Sequence, residues 1–333
     1  MPLNSNGQSS ISFLDRIRIN NGVDALKAHF HDLLTEDPGK AVDLINDRNL
    51  HFPSLFALQP EIIKLDLFNR LSTNNQCALN IANGILTKQL SISEFLPIEY
   101  KQTTYSAFKW ILETGYMDDG LNDQYDEILE TAAILLVKIY RDVSCLHIIA
   151  EMVFNRHRKG FPIYDLIWAF FEARIPESLT LIAERLRSGR GRDVELARKL
   201  LKFIPAAGMN ADMDNNRQYT AVINWINENH PFLHYKGESF QQTGSPEAYT
   251  LSLESKYLCK NTLTDSRNVL RSLSEEESTL LDRFRALQED TKLILANYSY
   301  RLYRRNPRQW QLWVRYPLGK QISIAKAMLG GLP

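Results

Sequence analysis

The sequence predicts an all-α protein: a helical-hairpin repeat array, an irregular linker, and a C-terminal helix that runs into a basic-aromatic tail. Three observations carry this expectation. Apolar residues recur with helical spacing almost without interruption from 23 to 205. One apolar pattern returns after 33 residues. Positive charge is gathered at one end of a chain that is neutral overall.

The helical spacing is clearest over residues 123–143. Ile128, Ala132, Leu135, Leu136 and Ile139 fall on one stripe, while Glu127, Glu130 and Lys138 lie off it. That is the pattern of a helix with one buried face. Pro38, Pro60, Pro162 and Pro176 each follow a break. They suit a first helical turn, where a missing N–H has no partner to lose. Strand-like alternation is nearly absent up to residue 205, so this region reads as helices joined by short turns.

The echo lies between LHIIAE at 146–151 and LTLIAE at 179–184, and its register continues through Ile163/Leu196, Ile167/Leu200 and Phe170/Phe203. Trp110 to Glu113 followed by Ile128 and Leu129 forms a weaker third copy. A hairpin of two helices cannot bury its apolar face alone and stacks on the next, which is what such a period implies. The pattern resembles HEAT- or armadillo-like repeats at fold level, without a diagnostic family signature. An irregular helical domain with a chance similarity accounts for the same residues.

Beyond residue 205 the pattern fails. Residues 206–216 are small, polar and acidic and read as a loop. A helix is expected over 216–229, with Ala221, Val222, Trp225 and Ile226 inward. Residues 230–246 are punctuated by Pro and Gly, and the alternating run 249–253 reads as one short strand or an extended arm. The expected organisation is a flexible N-terminus over 1–20, a helical-repeat domain over 21–228, a linker over 229–272 and a C-terminal module over 273–333.

The module opens on Ser274 and Glu277, spaced as a capping box, with Glu275 and Glu276 completing an acidic first turn. One helix is expected to run to about Arg304 and stop at Asn306-Pro307. Leu273, Leu280, Leu287 and Ile294 recur every seven residues, a seam too short for a free coiled coil but fit to dock. The alternating residues 308–316 and an amphipathic stretch over 321–329 follow.

At 333 residues the chain is long enough to bury roughly 75% of its unfolded surface, so a large core needs no staples. Cys77, Cys145 and Cys259 lie far apart, without the spacing of a disulfide framework or a zinc site. The first residues lack a basic segment followed by an apolar one, and the longest apolar runs are far short of a membrane span. A cytoplasmic protein without a transmembrane segment is expected.

Catalytic signatures do not emerge. His230 and His234 are four apart, but Pro231 sits between them and no third ligand is spaced to join them. Asp212 and Asp214 begin like a calcium loop, yet Arg217 and Ile223 occupy the positions that need Gly and a carboxylate. The acid-rich stretch 117–123 has no ligand spacing, and no phosphate loop or nucleophile motif is present. No cofactor and no metal are therefore expected, and an enzyme on this scaffold is a minor reading.

The basic groups say more. Residues 291–333 hold eight Lys or Arg and no acid, with six aromatic rings among them, whereas 1–290 carry 31 basic against 39 acidic side chains. Arg301, Arg304, Arg305, Arg308 and Arg315, with Trp310, Trp313 and Tyr316, suit a protein interface, where Arg, Trp and Tyr are the enriched anchors. They also suit single-stranded nucleic acid, where guanidinium meets phosphate and rings stack on bases. An anionic membrane surface is a weaker fit. A terminal helix packed on the body, with its arginine stems projecting, explains the same composition. If the 33-residue register holds, Arg156, Arg158 and Lys159 pair with Arg187, Arg190 and Arg192 on successive turns, forming a basic ridge. The expected function is a non-catalytic interaction or scaffold protein that binds a protein partner or itself; the alternative is nucleic-acid binding through both basic clusters.

Overall fold

The computed structural model describes residues 11–88, 101–208, 214–238, 247–262 and 273–329. Helix makes up 75% and strand 2% of these residues, which makes the protein all-α. The chain forms two compact units, Met1–Ala173 and Arg174–Pro333. This division falls inside the span 21–228 and puts the two good copies of the echo in different units. By sequence the first unit holds 15 basic against 22 acidic side chains and the second 24 against 17, hence −7 and +7. The excess of the second unit is carried by residues 291–333, because residues 174–290 hold 16 basic against 17 acidic side chains.

The first unit contains α1 (Phe13–Asn21), α2 (Val23–Glu36), α3 (Pro38–Ile45), α4 (Phe52–Ala57), α5 (Gln59–Lys64), α6 (Thr73–Leu86), α7 (Lys101–Gly115), α8 (Asp123–Lys138), α9 (Leu146–Lys159) and α10 (Tyr164–Glu172). Their ends are written locally. Ser12, Asp37, Ser72 and Asn122 cap α1, α3, α6 and α8 by accepting an N–H three residues on. α9 stops at Gly160, whose φ of +80° suits glycine. The expected stripe of α8 is broader than read, because Tyr125, Leu129 and Ala133 are also buried. Phe30, Phe52, Phe108, Tyr125 and Phe154 fill the interior.

Two expectations are corrected in this unit. Within the flexible N-terminus expected over 1–20, residues from 13 onward form α1; residues 1–10 lie outside the described residues. Asp15 is fully buried and accepts from Ser12 Oγ at 2.5 Å, Ser54 Oγ at 2.6 Å and the His51 N–H at 2.9 Å. Arg18 donates to Ser54 Oγ at 3.0 Å and forks onto Asp118 at 2.7 and 3.1 Å. Polar groups satisfied this way are invisible to a hydrophobic pattern. Secondly, Arg156 is not part of a solvated basic edge. It is 3% exposed, and it donates to Asp119 (2.8–3.0 Å), Glu130 Oε2 (2.8 Å) and the Asp126 carbonyl (3.1 Å). The acid-rich loop over 117–123 is thus where two buried arginines end.

The second unit contains α11 (Leu179–Ala183), α12 (Gly191–Leu200), α13 (Pro205–Gly208), α14 (Asn215–Asn229), β1 (Leu233–Tyr235), β2 (Tyr249–Leu251), α15 (Leu253–Leu258), α16 (Glu275–Arg285), α17 (Glu289–Arg305), α18 (Pro307–Trp313) and α19 (Leu318–Leu329). The second copy of the echo begins on α11 and passes at Glu184 into a 3-10 turn. The loop expected over 206–216 includes the end of α13. Asp214 is the N-cap of α14, accepting from the Arg217 N–H, while Asp212 lies outside the described residues. The expected strand is β2, and it pairs antiparallel with β1 in the register Leu233–Leu251, His234–Thr250 and Tyr235–Tyr249.

The long helix expected over 274–304 is two helices. α16 ends at Arg285, and Gln288, in extended conformation, starts α17 with Glu289 and Asp290 in its first turn. Acids at the positive end of a helix dipole favour that restart. The seam residues dock within the unit: Leu281, Phe284, Leu295, Ala296, Leu302, Trp313 and Ala325 form a core with Tyr257 and Leu258, and Leu273, Leu280, Leu287 and Ile294 pack at its margin. Of residues 308–316, read as alternating, 308–313 are helical instead. Asn306 caps α18 and Pro307 occupies its first turn.

Candidate functional site

The arginines read from the sequence sit on α17 and α18 because of what faces inward. Leu295, Ala296, Ser299 and Leu302 are the buried positions of α17, which leaves Arg301, Arg304 and Arg305 outward. On α18 and just past it, Trp310, Trp313 and Val314 face the core at i, i+3 and i+4, while Arg308, Leu312 and Arg315 are exposed. Leu312 is 62% exposed, an apolar side chain left in water.

The rings divide between two duties. Trp313 is 3% exposed, lies edge-on to Tyr298 and Tyr257, and its indole N–H has no hydrogen-bond partner among the described residues. It is a core residue and is corrected from the set of partner-binding residues. Trp310 is half-buried and donates its indole N–H to Ser299 Oγ at 2.7 Å; Ser299 donates in turn to the Tyr257 carbonyl at 2.5 Å. Tyr316 is 38% exposed, with the Lys320 ammonium 4.0 Å above its ring. Gln321, fully buried, accepts from the Tyr257 hydroxyl at 2.7 Å and donates to the carbonyls of Val314 and Tyr316. This one amide fixes the turn that carries Arg315 and Tyr316.

Among the described residues, Arg305, Arg308 and Arg315 are exposed and pair with no carboxylate. Arg301 makes only a loose pair with Glu228, at 3.6 Å and half-exposed, and Arg304 lies 5.8 Å over the Tyr300 ring. Of these, Arg315 lines a groove of about 1100 Å³. One wall is the start of α16, with Glu275, Glu276, Glu277, Leu280 and Arg283; the other is Trp310, Gln311, Val314, Arg315 and Tyr316. Glu277 is occupied. It closes the capping box on the Ser274 N–H at 2.8 Å and takes the Lys260 ammonium at 2.6 Å. Burial works upward on its carboxyl, but these two donors outweigh it and hold it below the usual range. Glu275 and Glu276 are exposed and, among the described residues, unpaired. The groove therefore offers both signs of charge around a half-apolar floor.

The remaining arginines from the sequence do not converge there. Arg158 pairs with Glu151 at 3.5 Å on α9 of the first unit. Arg187 lies 4.9 Å over the Tyr219 ring, and Arg190 and Arg192 are exposed at the start of α12.

Sequence reasoning passed over Lys256, the most unusual cation in the second unit. It is 2% exposed, and its ammonium donates to Asn229 Oδ1 and Asn297 Oδ1, each at 2.6 Å, under the Tyr300 ring. Burial pushes it down to about 8; Arg301 acts in the same direction, while Glu228 and Cys259 oppose both. The folded form then releases a proton near pH 8 that the unfolded chain holds to about 10.5. Stability carries the full burial cost below pH 8 and rises between these values. Burial pushes the Cys259 thiol up to about 12, which works the other way above pH 9. We expect the unfolding free energy of the wild type, measured in urea against Lys256→Met, to gain on the variant from pH 8 to 9. A flat difference would show that Lys256 stays protonated.

Among the described residues no group of three His, Cys, Asp or Glu converges as a cation site, and no helix is long and apolar enough to cross a membrane. His230 contacts the Ile226 carbonyl, and His234 lies on β1. No protein-family model, curated protein or solved structure matches this chain.

Proposed function

We propose that this is a non-catalytic interaction protein that holds a macromolecular partner on the α17–α18 face and groove of its second unit. The observation that supports this reading best is the set of open cations, Arg305, Arg308 and Arg315, the last of which lines a groove edged by the open carboxylates Glu275 and Glu276. Exposed charges without partners in the chain can be engaged elsewhere without first breaking an internal ion pair, and Arg with Trp and Tyr are the usual anchors of protein interfaces. The helices of 21–228 belong to this reading as a helical-hairpin array. The consecutive packing of α6 on α7, α7 on α8 and α9 on α10 supports it. A cytoplasmic setting fits the three free thiols.

Removing residues 298–333 would test nothing, because Leu302, Trp313 and Ala325 belong to the core. The test is Arg304→Ala, Arg305→Ala, Arg308→Ala and Arg315→Ala together, at exposed positions that leave helical content unchanged. Immobilised wild-type chain should retrieve lysate proteins that this variant does not. Equal retrieval by both would end the reading.

Nucleic acid is the second reading, favoured by the unpaired guanidinium groups. Two observations weigh against it. Glu275 and Glu276 repel a polyanion entering the groove, and burial of Trp313 removes a stacking platform. A titration with single-stranded oligonucleotide decides: log affinity would fall by about 0.7 per contacted phosphate against log salt.

A further inference from the structure

We propose that the groove between α16 and α18 is filled by the same face of a second copy of this chain. The inference rests on the interaction reading and names its partner. Its starting point is that one surface carries both members of each complementary pair. The groove offers an apolar floor of Leu280, Trp310 and Val314 behind Glu275 and Glu276. The outer side of α18 carries what such a groove takes: Leu312, 62% exposed, with Arg308 one helical turn before it. Among the described residues, neither carboxylate and neither Arg305 nor Arg308 has a partner in its own chain.

Because α18 forms one wall of the groove and also carries the knob, a two-fold axis beside α18 seats each copy's Leu312 in the other's groove. Arg308 and Arg305 then meet the partner's Glu275 and Glu276. Such a contact is isologous and closes at two, so it gives a dimer and not a filament. A membrane surface or a polyanion fits less well, because the carboxylates at the groove edge repel both.

The experiment is sedimentation equilibrium of the full chain from about 1 to about 100 µM, the range in which mass action reveals a moderate dimer. Four samples are compared: wild type, Glu275→Lys with Glu276→Lys, Arg305→Glu with Arg308→Glu, and an equimolar mixture of the two variants. The wild type should reach twice 38.4 kDa at low salt and fall back as salt is added. Each charge-reversed variant alone should stay at 38.4 kDa. The mixture should recover the dimer, because each reversed face then meets its complement. Leu312→Asp, which alters no arginine or glutamate, should also be monomeric.

A wild type that stays monomeric throughout overturns the inference. So does a dimer that survives both reversals, or a mixture that fails to reassociate. A monomeric wild type that still retrieves other proteins through its arginines leaves the interaction reading standing. If retrieval is lost as well, both fall.

Discussion

Replacing Arg156 by alanine should destabilise the first unit by about 3–5 kcal/mol, the cost of leaving a buried charge without its partner. The Asp119 side chain is fully shielded from solvent and takes hydrogen bonds from both Nε and Nη2 of Arg156, while Nη1 reaches Glu130 at 2.8 Å. Alanine removes every one of these donors; the Lys159 ammonium, 2.7 Å from the Asp119 carbonyl, does not replace the fork. The effect should appear as faster amide exchange across α8 and α9, which report opening of this unit alone. Arg156→Lys should fall between, because a point charge cannot reproduce a bidentate contact. Combining Arg156→Ala with Asp119→Ala should cost less than the sum of the two. Exchange rates unchanged in Arg156→Ala would mean that the pair is not held in solution.

Trp313→Ala should be comparably severe in the second unit, at about 3–5 kcal/mol for emptying a large aromatic site. The ring is 3% exposed and wedged against Tyr298 and Tyr257, and Tyr257 stacks in turn on Phe284 at 4.4 Å. Its loss opens the core shared by α15, α16, α17 and α19. Trp313→Phe should cost much less, since the indole N–H makes no hydrogen bond that could be forfeited. Urea unfolding of the three proteins, followed by the remaining tryptophans, checks this order. If alanine and phenylalanine were equally tolerated, Trp313 would not be a core residue, and its place among the partner anchors would reopen.

Several local signals in the sequence translated directly into structure. Ser274 and Glu277 close the capping box, Asn306-Pro307 ends α17, and α14 begins within a residue of its expected start. Each depends only on neighbours a few residues away. What went unread depends on partners far along the chain. Arg156 and Asp119 are 37 residues apart, so a basic turn gave no sign that its arginine is spent internally. β1 and β2 are separated by a long connection, and three residues of β1 make no visible alternation. The heptad of leucines ran through Leu287 because apolar spacing does not register the break at 286–288. Trp310, Trp313 and Tyr316 looked alike in sequence. Only packing separates a ring that supports the core from one left at the surface.

The opposite charge of the two units alters how the neutrality of this chain is understood. Its isoelectric point of about 7.1 reflects cancellation between a deficit of seven and an excess of seven, not a scarcity of ions. At physiological ionic strength electrostatic reach is only about 8 Å. A visitor therefore feels the charges within that distance of its contact, not the sum over the chain. Bulk measures such as electrophoretic mobility would call the molecule inert, although its two units carry opposite net charges of seven.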